Sequence, residues 1–240
     1  AQKQMRAKKI AYIPGVGIDL DKFATEKMGL VENREKRNQL GIPKDAILLL
    51  SVGELNENKN HETVIRALST LVKLQEKKIY YIIAGTGYLK EHLQNVIDEV
   101  GVSECVYLLG YRTDVAELCR IADVFVFPSY REGLSVSLME AMASGLPVVC
   151  SRIRGNIDLI DEIFVHQKNR CDAECVNRIS HIDGGGTLFE PDSIKACVNA
   201  LQQLLSLDRE KAGEYNRNKI QNFELGTVNT QLMDLYDRKS

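Results

Sequence analysis

The sequence predicts a doubly wound α/β domain, a parallel sheet with helices on both faces, and three observations point there. Apolar runs recur at KKIAYIPG, AILLLSVG, KIYYIIAG, CVYLLG, DVFVFPS and PVVCS, with helical patterns between them. These runs are continuously apolar rather than alternating, as expected of strands buried on both faces. Several end in a turn residue, namely Gly53, Gly85, Gly110 and Ser129. That places these residues at the carboxyl ends of strands, where open α/β sheets bind ligands. A chain of 240 residues with 44% hydrophobic content can bury one core, so a single domain over 1–240 is expected.

Taken in order, KKIAYIPG supplies a first strand, preceded by Lys3, Arg6, Lys8 and Lys9. AILLLSVG supplies the next, followed by Gly53 and, six positions on, Lys59. KIYYIIAG runs into Gly85-Thr86-Gly87, and CVYLLG into Tyr111-Arg112. DVFVFPS is rich in Val and Phe and is stopped by Pro128 and Ser129. Gly133 then permits a tight turn. From Ser135 the Leu, Met and Ala residues fall at helical spacing, with Gly145-Leu146-Pro147 as the stop and PVVCS as the next strand.

Strand, glycine turn and helix together make a chemically suggestive unit. A helix that opens after such a turn aims unpaired backbone N–H groups and a positive dipole end above the sheet, an arrangement that favours phosphate. Glu132 flanks that position and Glu140 lies inside the helix. Glu132 also reads as an ordinary solvated carboxylate. Glu140 has a second reading too: Ser137-Leu138-Met139-Glu140 fits a capping box, in which the carboxylate returns to its own helix start.

The segment EGLSVSLMEAMASGLPVV resembles the E-x7-E segment of the family-4 retaining glycosyltransferases, which have the two-domain GT-B fold with Rossmann-like halves. Ser51-Val52-Gly53 through Lys59, IIAGTGYLKEHL, VYLLGYRTDVAEL and GGTLFEPDS match the same family in the same order, and YIPGVGIDLDKF is similar to the segment after its interdomain linker. The resemblance implies a donor site for a nucleoside-diphosphate sugar and no other cofactor or metal. Glu140 would hold the ribose hydroxyls and Glu132 those of the donor sugar. Backbone N–H groups around Gly133, Leu134, Ser135 and Val136 would meet sugar and diphosphate, beside Gly53. Lys59 would neutralise the diphosphate, and Tyr111-Arg112 would border the base. Of these, Glu132 and Lys59 would take part in catalysis. The chemistry is consistent, since carboxylates accept charge-assisted bonds from a diol and a departing diphosphate needs fixed positive charge.

Family members commonly carry Arg where this chain has Glu54, which would repel phosphate, so Arg112 or Arg154 is expected to substitute unless Glu54 faces away. The acceptor-binding half of the family precedes YIPGVG, so this chain is expected to be a donor-binding fragment that meets its glycan or lipid-linked acceptor through an N-terminal domain. A closing helix from Phe223 to Tyr236 would then lack its natural partner. Polysaccharide biosynthesis is the implied setting. A non-catalytic nucleotide-sugar-binding or interaction module, suggested by Glu54 and by an apparent insertion at 161–183, and a sugar-nucleotide epimerase of related fold are the competing readings.

Other signals are weaker. Gly85-Thr86-Gly87 lacks the third glycine and the acidic ribose ligand of a dinucleotide fingerprint. Asp19-Leu20-Asp21 is explained by turn and capping chemistry rather than metal. The resemblance fails over 161–183, an apparent insertion. There Cys171, Cys175, Ile179 and Ile182 form one helical stripe, whereas His181 lies about 80° from Cys171. A zinc site with His166 is therefore disfavoured. Six scattered cysteines without C-x-x-C suggest a reducing, cytoplasmic setting. No stretch is long enough to span a bilayer, so contact with the inner membrane face would be peripheral, through the basic N-terminal residues. A net charge of −2 argues against nucleic acid.

Overall fold

All strands of the single sheet run parallel. The computed structural model describes residues 17–23, 29–163 and 183–237. Its strands are β1 (Ile47–Val52), β2 (Ile79–Ala84), β3 (Val106–Gly110), β4 (Val124–Phe127), β5 (Val148–Ser151) and β6 (Gly186–Phe189). The order across the sheet is β3-β2-β1-β4-β5-β6. Strand order therefore reverses between β1 and β4, and a crevice opens there above the carboxyl ends.

The helices are α1 (Leu20–Phe23), α2 (Leu30–Gln39), α3 (His61–Leu74), α4 (Lys90–Glu99), α5 (Val115–Ile121), α6 (Val136–Ala143), α7 (Arg154–Leu159), α8 (Ile194–Leu205), α9 (Arg209–Ile220) and α10 (Leu225–Asp237). Successive strand residues serve opposite faces, as the pleat requires. Ile47, Leu49, Tyr81, Ile83 and Val126 pack under α3, α4 and α8. Leu48, Leu50, Ile82, Phe125 and Cys150 pack under α5, α6 and α7. Each of the Leu, Ile, Val and Phe side chains among them contributes about 1.5–3 kcal/mol of transfer free energy. Cys150 behaves as the small hydrophobe expected of it, and burial pushes its thiol well above the ordinary value.

The sequence patterns hold with one omission. KKIAYIPG lies outside the described residues, as do Lys3, Arg6, Lys8, Lys9 and the cysteines and histidines of the insertion. The other five apolar runs form β1 to β5. The strand missed is β6, drawn from GGTLF. Four residues that include a glycine show no periodicity. Gly186 is there because a Cβ would lie 2.4 Å from the Val148 carbonyl oxygen. α10 is the expected closing helix: Val228 is buried, while Leu225 and Met233 are 45% and 62% exposed. Among the described residues no helix is long and apolar enough to cross a membrane.

At the opposite end of the sheet, Arg37 of α2 is buried among acceptors. Its Nε donates to the Ile121 carbonyl at 3.1 Å and its Nη1 to Ala46 O at 2.9 Å, while Nη2 pairs with Asp123 Oδ2 at 3.0 Å. Asp123 Oδ2 also accepts from Leu48 N at 2.7 Å, so one guanidinium ties α2, α5 and two strands together. Truncating one member of a buried charged network leaves the others unpaired. Arg37→Ala is expected to lower the unfolding free energy by about 3 kcal/mol, read from the midpoint of a urea titration at unchanged slope.

Candidate functional site

β1 and β4 lie on either side of the reversal, and each delivers one charged side chain to it. After Gly53 the chain forms a short 3-10 turn, Glu57–Lys59, with Asn56 as cap accepting from Lys59 N at 3.0 Å. Lys59 Nζ lies 2.7 Å from Glu132 Oε1, which comes from the loop after β4. The two side chains are only 18% and 14% exposed, so their attraction is screened less than at an open surface. Nζ also stands 4.9 Å from the centroid of the Phe127 ring, a cation–π contact. The lysine stem crosses Gly53, where a Cβ would lie 3.2 Å from Lys59 Cε. Gly53, Lys59 and Glu132 are thus brought together as the motif order suggested.

The loop from Tyr130 leads into α6. Ser135 is the N-cap, and its Oγ accepts from Leu138 N at 3.5 Å. This displaces the capping-box reading, because with Ser135 as cap Leu138, not Glu140, occupies the third helical position. The first N–H groups of α6, at Val136 and Ser137, have no intrahelical acceptor. Leu134 is half-buried before them, and Gly133 is exposed. Gly133 lies in a bend, as the turn reading expects, but its φ is not positive and a Cβ there would meet nothing within 4 Å, so the bend does not require glycine. Glycine is needed instead at Gly155 in α7, where a Cβ would lie 2.1 Å from Gly133 O and 2.6 Å from Glu132 O. Sequence inspection missed this position because its partner is remote in the chain.

Glu140 is half-buried inside α6 and makes no hydrogen bond through its carboxylate among the described residues. Burial raises its pKa, opposed by the Lys22 ammonium of α1. Such a group is costly unless something else binds it.

The remaining candidates divide. Tyr111 is 78% exposed beyond the end of the edge strand β3, roughly two strand spacings or about 10 Å from β1. Arg112 is not a free cation, since Nε and Nη2 bind Asp114 at 2.8 and 2.6 Å. Arg112 and then Lys36 hold the Asp114 carboxyl far below the usual carboxylate range. Glu54 is exposed, accepts from Asn56 Nδ2 at 3.0 Å and forms no ion pair with Lys59. Arg154 beside Gly155 is exposed and unpaired among the described residues, as is Arg131, which the sequence reading passed over.

Beneath Lys59, a polar chain crosses the core. Ser51 Oγ is 2.7 Å from the Tyr81 hydroxyl, which is 3.4 Å from Nδ1 of the buried His61. Desolvation pushes the His61 pKa down to about 4, against the pull of the Glu54 backbone.

Solved glycosyltransferases share this architecture. HepE of Anabaena, crystallised with UDP-glucose, superposes with a TM-score of 0.74 at 19% identity over 92% of this chain and 56% of its own. The C-terminal domain of LpcC, a group 1 family protein from Francisella tularensis, gives a TM-score of 0.64 at 17% identity over 87% of this chain and all of its own. The sequence itself matches the family of glycosyl transferases group 1 over residues 32–220, and the chain belongs to that family. The Escherichia coli UDP-Gal:alpha-D-GlcNAc-diphosphoundecaprenol alpha-1,3-galactosyltransferase is 30% identical over 95% of this chain. The chain spans about half the length of the curated relatives it matches, 54% for that enzyme.

Two outcomes are expected from this geometry. His61 is neutral in the folded protein and protonates more readily when unfolded. Its contribution is therefore full above pH 6.5 and is lost as pH falls to about 4. At most it amounts to about 3 kcal/mol. Urea unfolding of His61→Gln beside the parent should show a smaller loss of stability across that window. Gly155→Ala should displace the Glu132 loop and lower the melting temperature by several degrees, about 1–3 kcal/mol for an overpacked site, measured by calorimetry.

Proposed function

We propose that this chain is the donor-binding, C-terminal half of a family-4 retaining glycosyltransferase. It binds a nucleoside-diphosphate sugar and acts with an N-terminal domain that holds a glycan or lipid-linked acceptor. The observation that carries this reading is Glu140, a half-buried carboxylate without a hydrogen-bond partner among the described residues, set one helix turn into α6, whose preceding loop carries Glu132 of the Lys59–Glu132 pair. Glu140 accepts the ribose hydroxyls, and Glu132 accepts those of the sugar. Lys59 and the N–H groups of Leu134, Ser135 and Val136 receive the diphosphate, which approaches across the open face of Gly133. Tyr111 borders the base from the sheet edge.

The bond between anomeric carbon and diphosphate oxygen breaks with its electron pair on the diphosphate. Fixed positive charge stabilises that oxygen as it leaves, without a metal in this reading. Lys59 supplies one charge and the α6 dipole another. With Arg112 held by Asp114, Arg131 and Arg154, exposed and unpaired among the described residues, are candidates to act in place of the family arginine. Glu54, held by Asn56, does not oppose them at Lys59. The names of the Escherichia coli relative and of the HepE complex support a UDP-linked sugar and, for the former, a lipid-diphosphate acceptor. Exopolysaccharide or lipopolysaccharide assembly at the inner membrane face is the setting that fits.

Thermal unfolding with UDP, GDP and ADP and their sugar conjugates tests the reading. A ligand at a hundred times its dissociation constant adds about 2.7 kcal/mol, a shift of several degrees for a domain of this size. One base should stabilise the chain, and Glu140→Ala should remain folded yet lose most of the shift. Equal shifts in the parent and the folded variant would return Glu140 to a purely structural role.

A further inference from the structure

We infer that Asn58 and Asn60, on either side of Lys59, are positioning residues that set the Lys59 ammonium and the Glu132 carboxylate at one fixed separation, so that the donor meets a preformed pair. The inference rests on the donor-site reading above, because it assigns these asparagines a task in diphosphate binding.

The hydrogen bonds single them out. Asn58 O accepts from Tyr130 N at 2.8 Å, and Asn58 Nδ2 donates to Arg131 O at 2.9 Å. Between Tyr130 and Gly133 these are the only hydrogen bonds made by the backbone among the described residues. Apart from the Lys59–Glu132 pair itself, the backbone of the segment that carries Glu132 is therefore tied to the sheet's other half through Asn58. Asn60 makes the complementary tie. Its Nδ2 donates to Pro128 O at 3.2 Å and Pro191 O at 3.0 Å, and its Oδ1 accepts from Thr63 Oγ1 at 2.8 Å. One amide thus joins the ends of β4 and β6 to the start of α3. Asn60 is also the one non-glycine residue with positive φ among the described residues, at 51°. Asparagine adopts that conformation more easily than most residues, and glycine adopts it freely.

The physical need is clear. Lys59 and Glu132 come from loops whose strands, β1 and β4, pair through only two registered positions, Leu49 with Val124 and Leu50 with Phe125. Long side chains on loops free to drift would sample many separations, and a drift of about an ångström takes such a pair out of hydrogen-bonding range. Stapling the two backbones removes that freedom before the ligand arrives.

A double-mutant cycle on the whole chain separates this role from general stability. Asn58→Ala and Lys59→Ala, singly and together, are titrated by calorimetry with UDP, GDP and ADP. Melting curves establish that each variant is folded. Asn58→Ala should weaken binding of the preferred nucleotide by on the order of tenfold, and by less than about twofold when Lys59 is already alanine. Asn60→Gly keeps the turn conformation while deleting the amide bridge, so its nucleotide affinity should also fall. The inference is overturned if Asn58→Ala costs the same in both backgrounds, or if Asn58→Ala and Asn60→Gly bind as the parent does while Lys59→Ala does not. If Lys59→Ala itself binds as tightly as the parent, or the parent binds none of the three, the donor-site reading fails first.

Discussion

Parallel pairing with a single reversal of strand order is the constraint from which the site follows. Every strand ends on the same side of the sheet, so every loop that can carry chemistry is delivered to one surface. The reversal between β1 and β4 parts the covering helices there, and Lys59 and Glu132 enter from its two sides. Neither residue has a partner nearby in sequence. Their ion pair exists because the sheet brings the end of β1 beside the end of β4.

Backbone proximity makes the surrounding loops narrow in their tolerances. Gly155 lets α7 come to rest against the carbonyls of Glu132 and Gly133, and Gly53 lets the lysine stem lie flat across β1's end. The polar chain of Ser51, Tyr81 and His61 fills the space below with groups that hydrogen-bond one another. A site bounded by backbone and by neutral buried groups keeps its charges few and placed. That is the arrangement in which each charge counts most.

Charge pairing across the surface separates residues already committed to the fold from those that are not. Arg37, Arg112 and Lys36 are each committed to carboxylates or carbonyls of the chain. Arg131 and Arg154 are not, and Glu140 is a half-buried acid with no bond to the protein among the described residues. The same residue types thus carry different meanings according to what they already hold. Family membership over residues 32–220 and the shared architecture of solved glycosyltransferases establish the class and the fold, while the roles of the uncommitted groups belong to the donor-site proposal.

Local patterns in the sequence were sufficient for the α/β class, for β1 to β5 and for α6 with its Gly145 stop, and they drew attention to Glu132 and Glu140, whereas Lys59 stood out only through the family resemblance. Each depends on hydrophobic continuity, turn chemistry or motif spacing, all of which are written within a few neighbouring residues. β6 escaped because its four residues include a glycine and show no period. Residues 164–182 of the insertion lie outside the described residues. What required the tertiary structure was who meets whom. Ser135 rather than Ser137 caps α6, Arg112 is spent on Asp114, and where α7 meets the Glu132 loop it is Gly155, not Gly133, at which sterics demand a glycine. Asn58 and Asn60 hold together loops some seventy residues apart along the chain. Such contacts depend on distances through space set by strand order and helix packing, and no local stretch of sequence carries them.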